Sequence, residues 1–237
     1  MILRDHDFPI SEIFESIQGE GNHAGVNSLF IRFQLCNITC IWCDTKYSWT
    51  RFSDKFEITD KDSLREKISR SEKKHIIFTG GEPALFRLDM LAKITGKSFH
   101  VESNGTIIPT QPLHTILHDG VEIYRDGMKE EIISEFNWVI SPKLSNSKQE
   151  TNDEAIKFWA KKEYAVFKFI TGNVADIEEA ENYALNFNIE KNRVYMGLLG
   201  TTLESQLNIS LADEIVKRGF NFSPRLHVLF WGQKRGK

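Results

Sequence analysis

"SLFIRFQLCNITCIWCDT", Ser28 to Thr45, joins a short apolar run to all three cysteines of the chain. Residues 28–35 are too few for a helix and rich in β-branched and aromatic side chains, so they read as a strand. Cys36 follows directly, and Cys40 and Cys43 complete a C-x3-C-x2-C spacing. An odd number of cysteines gathered this closely is a poor disulfide framework and reads as metal or redox chemistry in a reducing compartment. Three thiolates can close around one face of a cube-shaped iron–sulfur cluster, whose usual complement is four. One iron then keeps an open coordination position, as catalytic metals require. The competing readings are structural zinc with His23 or His75 as fourth ligand, buried free cysteines, and a redox pair.

Outward from this stretch, five further runs read as strands: "HIIFTG" (75–80), "SFHVES" (98–103), "NWVISP" (137–142), "YAVFKFIT" (164–171) and "RVYMGLL" (193–199). Between them lie helical patterns: "DSLREKISRSE" (62–72), "ALFRLDMLAKITG" (84–96), "TNDEAIKFWAKK" (151–162), "VADIEEAENYALNF" (174–187) and "LESQLNISLADEIVKRG" (203–219). Strand–helix alternation implies an α/β fold with a parallel sheet. About six strands predict an incomplete, TIM-like barrel with its chemistry at the C-terminal ends of the strands. "HDGVEIYRDGMKEE" (118–131) reads as an acidic excursion or short hairpin. No linker is long enough to mark a second domain, so residues 1–237 are expected to form one.

Net charge is −3, with no basic excess for nucleic acid. "MILRDHDFPISEIF" carries early acids and no long apolar block, unlike a signal peptide, and no run approaches a membrane span. A cytoplasmic setting is expected.

Polar groups gather at the strand ends. In "FTGGEPAL" (78–85), two glycines permit close backbone approach and positive φ, and Glu82 offers an acceptor for an ammonium group. "VESNG" (101–105) places Glu102 and Asn104 after the third strand. "SPK", Ser141 to Lys143, closes the fourth, and its alternative role is a proline-fixed strand end. "EIFESIQGEGNHAG" (12–25) sets Gln18 and Glu20 among turn-forming residues, a loop able to edge a flat heterocycle. Arg32 shares a strand face with Phe30 and Gln34. Buried there, it needs an anion: a substrate carboxylate or an internal salt bridge. "SPRLHVLFWGQKRGK" (223–237) carries His227 in an aromatic run that must pack.

C-x3-C-x2-C after the first strand, followed by GGEP one strand later, resembles the radical S-adenosylmethionine (SAM) superfamily. Together, "IFESIQGEG", "FIRFQLCNITCIWCDT", "TGGEPAL", "SPK" and "RLHVLFWGQKRG" closely resemble the 7-carboxy-7-deazaguanine synthases of queuosine (7-deazapurine) biosynthesis, over essentially the whole chain. The resemblance implies a carbon–nitrogen lyase that converts 6-carboxy-5,6,7,8-tetrahydropterin to 7-carboxy-7-deazaguanine with loss of ammonia. It implies a 4Fe-4S cluster on Cys36, Cys40 and Cys43, with SAM as a regenerated cofactor. It places Trp42, Cys43, Asp44, Gly81, Glu82, Glu102, Ser141, Pro142 and Lys143 at SAM, and Mg2+ at Thr45. It places Ile17, Gln18, Gly19, Arg32 and Thr79 at the pterin, with His227 and Lys237 on the same side. A one-electron donor such as flavodoxin or ferredoxin and a homodimer are also implied. The competing function is a radical SAM activase of glycyl-radical enzymes, which shares the cysteine spacing.

Overall fold

The computed structural model describes residues 1–237. Its strands are β1 (Ile2–Leu3), β2 (Asp7–Ile17), β3 (Asn27–Phe33), β4 (Glu57–Asp60), β5 (His75–Gly80), β6 (Ser98–Ser103), β7 (Leu113–Ile116), β8 (Glu122–Arg125), β9 (Asn137–Ile140), β10 (Ala165–Thr171), β11 (Val194–Leu198) and β12 (Asn221–Phe222). Its helices are α1 (Lys61–Arg70), α2 (Glu130–Ile133), α3 (Asp153–Ala160), α4 (Val174–Asn186), α5 (Leu203–Gln206), α6 (Ile209–Lys217) and α7 (Leu226–Trp231).

The main sheet has nine strands in the order β12-β11-β10-β9-β6-β5-β3-β2-β4. From β12 to β3 every neighbour is parallel; β2 and β4 add on antiparallel. All six expected strands are present in this parallel run, and the two-residue β12 is a seventh. The sheet is open, with β4 and β12 as its edges, and no closed barrel forms. The region around 118–131 does contain a hairpin: β7 and β8 pair antiparallel, and β1 joins them in a separate three-stranded sheet. No helix is long and apolar enough to cross a membrane.

Three of the five helices form where expected. Each starts on a side-chain cap: Asp60 for α1, Asn152 for α3 and Asn173 for α4. The other two differ. Residues 84–96 form only 3-10 turns at Pro83–Leu85 and Leu88–Leu91. Arg87 grips Asp89 with a two-pronged ion pair at 2.9 and 3.0 Å, a two-residue spacing whose side chains do not face each other on an α-helix. Residues 82–89 are all buried, so there is no polar face for a surface helix to show solvent. Residues 203–219 break into α5 and α6 because Asn208 turns its side chain onto the Leu211 N–H and restarts the helix.

Forty-four buried apolar residues from Leu3 to Phe220 form one contiguous core. Phe33, Phe78, Phe86, Phe99 and Phe136 connect within it through ring contacts of 5.4 to 6.4 Å. This packing holds the C-terminal ends of β3, β5 and β6 side by side, where the polar strand-end residues lie.

Candidate active site

A cavity of about 280 Å³ opens at these strand ends. Cys36, Cys40 and Cys43 all line it, and none forms a disulfide. Cys36 and Cys40 are buried, and Cys43 is half-buried. Burial, with the nearby Glu82 carboxylate, pushes the Cys36 thiol up to about 12. Burial also raises Cys40, against the pull of Lys143. Thiols so placed ionise readily only beside a strong added positive charge, which a bound metal centre supplies. No three histidine, cysteine or carboxylate side chains draw together as a site for one metal ion. The two histidines considered as zinc ligands are engaged elsewhere. His75 Nδ1 lies 2.9 Å from His100 Nε2, and His23 packs edge-on against His100.

The cysteine loop is held against the glycine loop backbone to backbone. Gly81 N–H donates to Phe33 O and Glu82 N–H to Leu35 O, both at 2.9 Å. A Cβ on Gly81 would sit 1.9 Å from the Leu35 carbonyl oxygen. Gly80 takes φ +115° and passes equally close to the Phe33 backbone. The glycines thus serve contact with the chain's own backbone, and Gly81 still borders the cavity.

Glu82 sits behind the glycine loop. It is fully buried and does not border the cavity. Its carboxylate accepts from Ala84 N–H (2.8 Å), Ser103 Oγ (2.9 Å) and Asn104 N–H (2.6 Å). Burial raises its pKa despite these donors. Placed there, Glu82 ties the glycine loop to the end of β6. Pro142 is likewise buried and off the cavity, while Ser141 and Lys143 on either side border it. Lys143 Nζ donates to Ser141 Oγ (3.1 Å) and lies 5.5 Å from the Trp42 ring centre. The Trp42 indole N–H donates to Asn146 Oδ1. Thr45 Oγ1 lies 3.6 Å from Cys43 Sγ.

Along the cavity runs a chain of charges, buried at Lys168 and Arg225, half-buried at Glu20 and Glu102, and exposed at Asp44. Gln18 Nε2 donates to one oxygen of Glu102 at 2.7 Å, and Lys168 Nζ donates to the other at 2.6 Å. Lys168 Nζ also donates to Glu20 at 2.6 Å, and Arg225 Nε donates to the same Glu20 carboxylate at 2.9 Å. Arg225 then reaches Asp44. Burial opposes the charge on Glu20, yet Lys168 and Arg225 hold it well below the usual carboxylate range. Glu102 is pushed up by burial, which Lys168 offsets only in part while Glu20 repels it. Burial also opposes the Lys168 ammonium, but its two carboxylates outweigh that and raise it. His227 is driven down, chiefly by burial, against the pull of Glu20. A Cβ on Gly19 would meet His227 Nδ1 at 2.3 Å, so the His227 ring would have to move.

Lys168, Glu20 and Arg225 border the cavity and were not among the expected site residues. Lys168 left a trace in the sequence: it is the one charge inside "YAVFKFIT", between two phenylalanines. Glu20 stood out only with Gln18 in the 12–25 loop, and Arg225, at the start of α7, left none.

Arg32 forms the internal salt bridge. Its Nε donates to Glu12 at 3.0 Å, and its guanidinium lies 5.5 Å from the Phe14 and 5.7 Å from the Tyr47 ring centres. Neither terminal nitrogen has a protein acceptor, so both are left for an anion in the cavity. Phe30 shares the cavity wall with Arg32, whereas Gln34 is buried and bonded to Tyr47 O and Thr50 O. Ile17, Gln18, Gly19, Thr79, His227 and Lys237 all border the same cavity.

A family profile described as "4Fe-4S single cluster domain" matches residues 17–164, the span that holds all three cysteines. A 7-carboxy-7-deazaguanine synthase from Pyrobaculum aerophilum is 32% identical over 235 residues, covering 96% of each chain. The chain belongs to the 7-carboxy-7-deazaguanine synthase family. A second 7-carboxy-7-deazaguanine synthase, from Thermoplasma acidophilum, is 30% identical, covering 96% of this chain and 99% of the relative. The crystal structure of QueE from Escherichia coli aligns with a TM-score of 0.68 at 24% identity, over 92% of this chain and 93% of that one. Streptococcus suis SuiB bound to S-adenosylmethionine aligns with a TM-score of 0.50 at 13% identity, over 81% of this chain and 51% of that one. At those identities the two structures speak for the fold. As a 7-carboxy-7-deazaguanine synthase, the chain is a radical SAM lyase with a 4Fe-4S cluster and SAM as cofactors, and the activase reading is not favoured.

Proposed function

We propose that the chain converts 6-carboxy-5,6,7,8-tetrahydropterin to 7-carboxy-7-deazaguanine with loss of ammonia. The observation that carries this reading is one cavity bordered by the three cysteines, Gly81, Arg32 and the 17–20 loop. Cluster and SAM, when bound, supply one-electron hydrogen abstraction. Cys36, Cys40 and Cys43 hold the cluster. Trp42, Asp44, Gly81, Ser141 and Lys143 face SAM, and Glu82 and Pro142 support them from behind. Thr45 offers an oxygen to Mg2+, which takes few protein ligands.

Arg32 presents its free terminal nitrogens to the pterin carboxylate. Ile17 to Gly19, with Glu20, offer acceptors to the N–H-rich ring edge, and Glu102 lies on the SAM side. Thr79, His227 and Lys237 complete the substrate side. Three carboxylates (Glu20, Glu102 and Asp44) face two cations, so this wall favours hydrogen-bond donors over a second anion. The charged wall also keeps bulk water from the reacting atoms.

Coarser properties belong to the same proposal. The open sheet curves around the cavity as a partial barrel, and the contiguous core supports a single domain. Exposed Leu203, Leu207, Ile209 and Phe230 support a homodimer. Ile41 is exposed beside Cys40, which supports docking of a small electron donor such as flavodoxin or ferredoxin. Unpaired clustered thiols support a cytoplasmic site.

The test is an anaerobic assay of the reconstituted chain with reductant, SAM, Mg2+ and the carboxypterin. Mass spectrometry should find the deazaguanine product; SAM cleavage without it would overturn the substrate. Cys40→Ala should abolish both. Arg32→Ala should weaken binding of the carboxypterin, and wild-type affinity would remove Arg32 from the carboxylate.

A further inference from the structure

We infer that Glu12 is a positioning residue that couples closure of segment 232–237 over the cavity to the orientation of Arg32. Glu12 and Arg32 lie directly opposite each other on β2 and β3. One Glu12 oxygen accepts from Arg32 Nε at 3.0 Å and from the Tyr47 hydroxyl at 3.4 Å. Its other oxygen accepts from Arg235 Nε. Arg235 also reaches Asp54, and its guanidinium lies 4.1 Å from the Tyr47 ring centre. Tyr47 therefore contacts both arginines, and Glu12 bonds to both.

Every residue from 232 to 237 borders the cavity. The segment is held by few contacts: the Arg235 clamp, a bond from Gln233 to Thr201, and backbone bonds from Gly232 to Val228 and from Lys234 to Trp231. The Arg235 side chain is 43% exposed, whereas that of Arg32 is 12% exposed. An exposed clamp opens at little cost, and closing it screens the Arg32 pair from water, where charge–charge contacts strengthen. Glu12 fixes the Arg32 fork through Nε and leaves the terminal nitrogens for the carboxylate. Carboxylate binding and closure then favour each other, a linkage that must be reciprocal.

This inference rests on the reading that Arg32 faces the substrate carboxylate. Its test uses the reconstituted full chain, 6-carboxy-tetrahydropterin, and tetrahydropterin lacking the carboxylate. Arg235→Ala should weaken the carboxylated ligand about fivefold, the ceiling for an exposed pair, and leave the other unchanged. Arg235→Lys should restore part of the loss. The effects of Arg32→Ala and Arg235→Ala should combine to less than their product. Equal losses for both ligands, or a fully multiplicative double variant, would overturn the coupling. Protease Lys-C reads the closure itself at Lys234. The carboxylated ligand should slow that cut in the wild type and not in Glu12→Gln; equal protection in both would also overturn it. If Arg32→Ala keeps wild-type affinity, the carboxylate reading fails instead, and increased Lys-C cutting of ligand-free Arg235→Ala still reports the clamp.

Discussion

On one side of the cavity the chain meets itself backbone to backbone; on the other it meets itself through charged side chains. The cysteine loop rests on Gly80 and Gly81 through hydrogen bonds from Gly81 and Glu82, with no space for a Cβ. The opposite wall is the run Gln18, Glu102, Lys168, Glu20, Arg225 and Asp44, drawn from residues as far apart as 20 and 225. The first arrangement is rigid because backbone cannot rotate away from a clash. The second is strong only while every charge keeps its partner.

Two glycines test that contrast most sharply. Gly81→Ala places a Cβ against the Leu35 carbonyl, and nothing nearby can swing aside. A loss of about 3 kcal/mol in urea unfolding is expected, with poor iron and sulfide uptake on reconstitution. Gly19→Ala meets the ring of His227, which can rotate, so about 1 kcal/mol is expected. His227→Ala should relieve the Gly19→Ala defect. Equal losses at the two glycines would erase the distinction between backbone and side-chain contact.

The charged wall is tested by Lys168→Met. It strands the Glu20 and Glu102 carboxylates in a buried site and should cost about 3 kcal/mol by urea titration at neutral pH. Adding Glu102→Gln should recover part of it, since one orphaned charge is removed. A neutral Lys168→Met would mean water reaches this wall freely.

Glu82 carries an effect that depends on pH. Its folded pKa is raised above its ordinary value of 4.5, so the folded chain holds this proton more tightly than the unfolded one. Its contribution to stability is complete below 4.5 and fades as pH rises through the raised value. Glu82→Gln should flatten that part of the stability–pH curve and cost about 1 to 3 kcal/mol at low pH by disturbing three accepted bonds. An unchanged pH slope would show that Glu82 titrates alike in both states.

Much of this site was legible because its chemistry is local. Cys36, Cys40 and Cys43 fall within eight residues, Gly80 and Gly81 adjoin them one strand later, and each follows a short apolar run. The helix expected at 84–96 failed for a reason no periodicity shows. The Arg87–Asp89 fork and the burial of residues 84–89 on every side override a good apolar pattern. The donors that Glu82 meets were hidden for a related reason: two of its three come from residues 103 and 104, a strand away.

By itself, the sequence determined the parallel α/β order, the thiol triad and the family, since each depends on residues close in the chain or on a pattern kept along it. Tertiary structure alone decided which charges share the cavity. Lys168 meets Glu20 across 148 positions and Arg225 meets Glu20 across 205. Such pairs form because a charge taken from water must find a partner in space, and the folded sheet determines which partner is within reach.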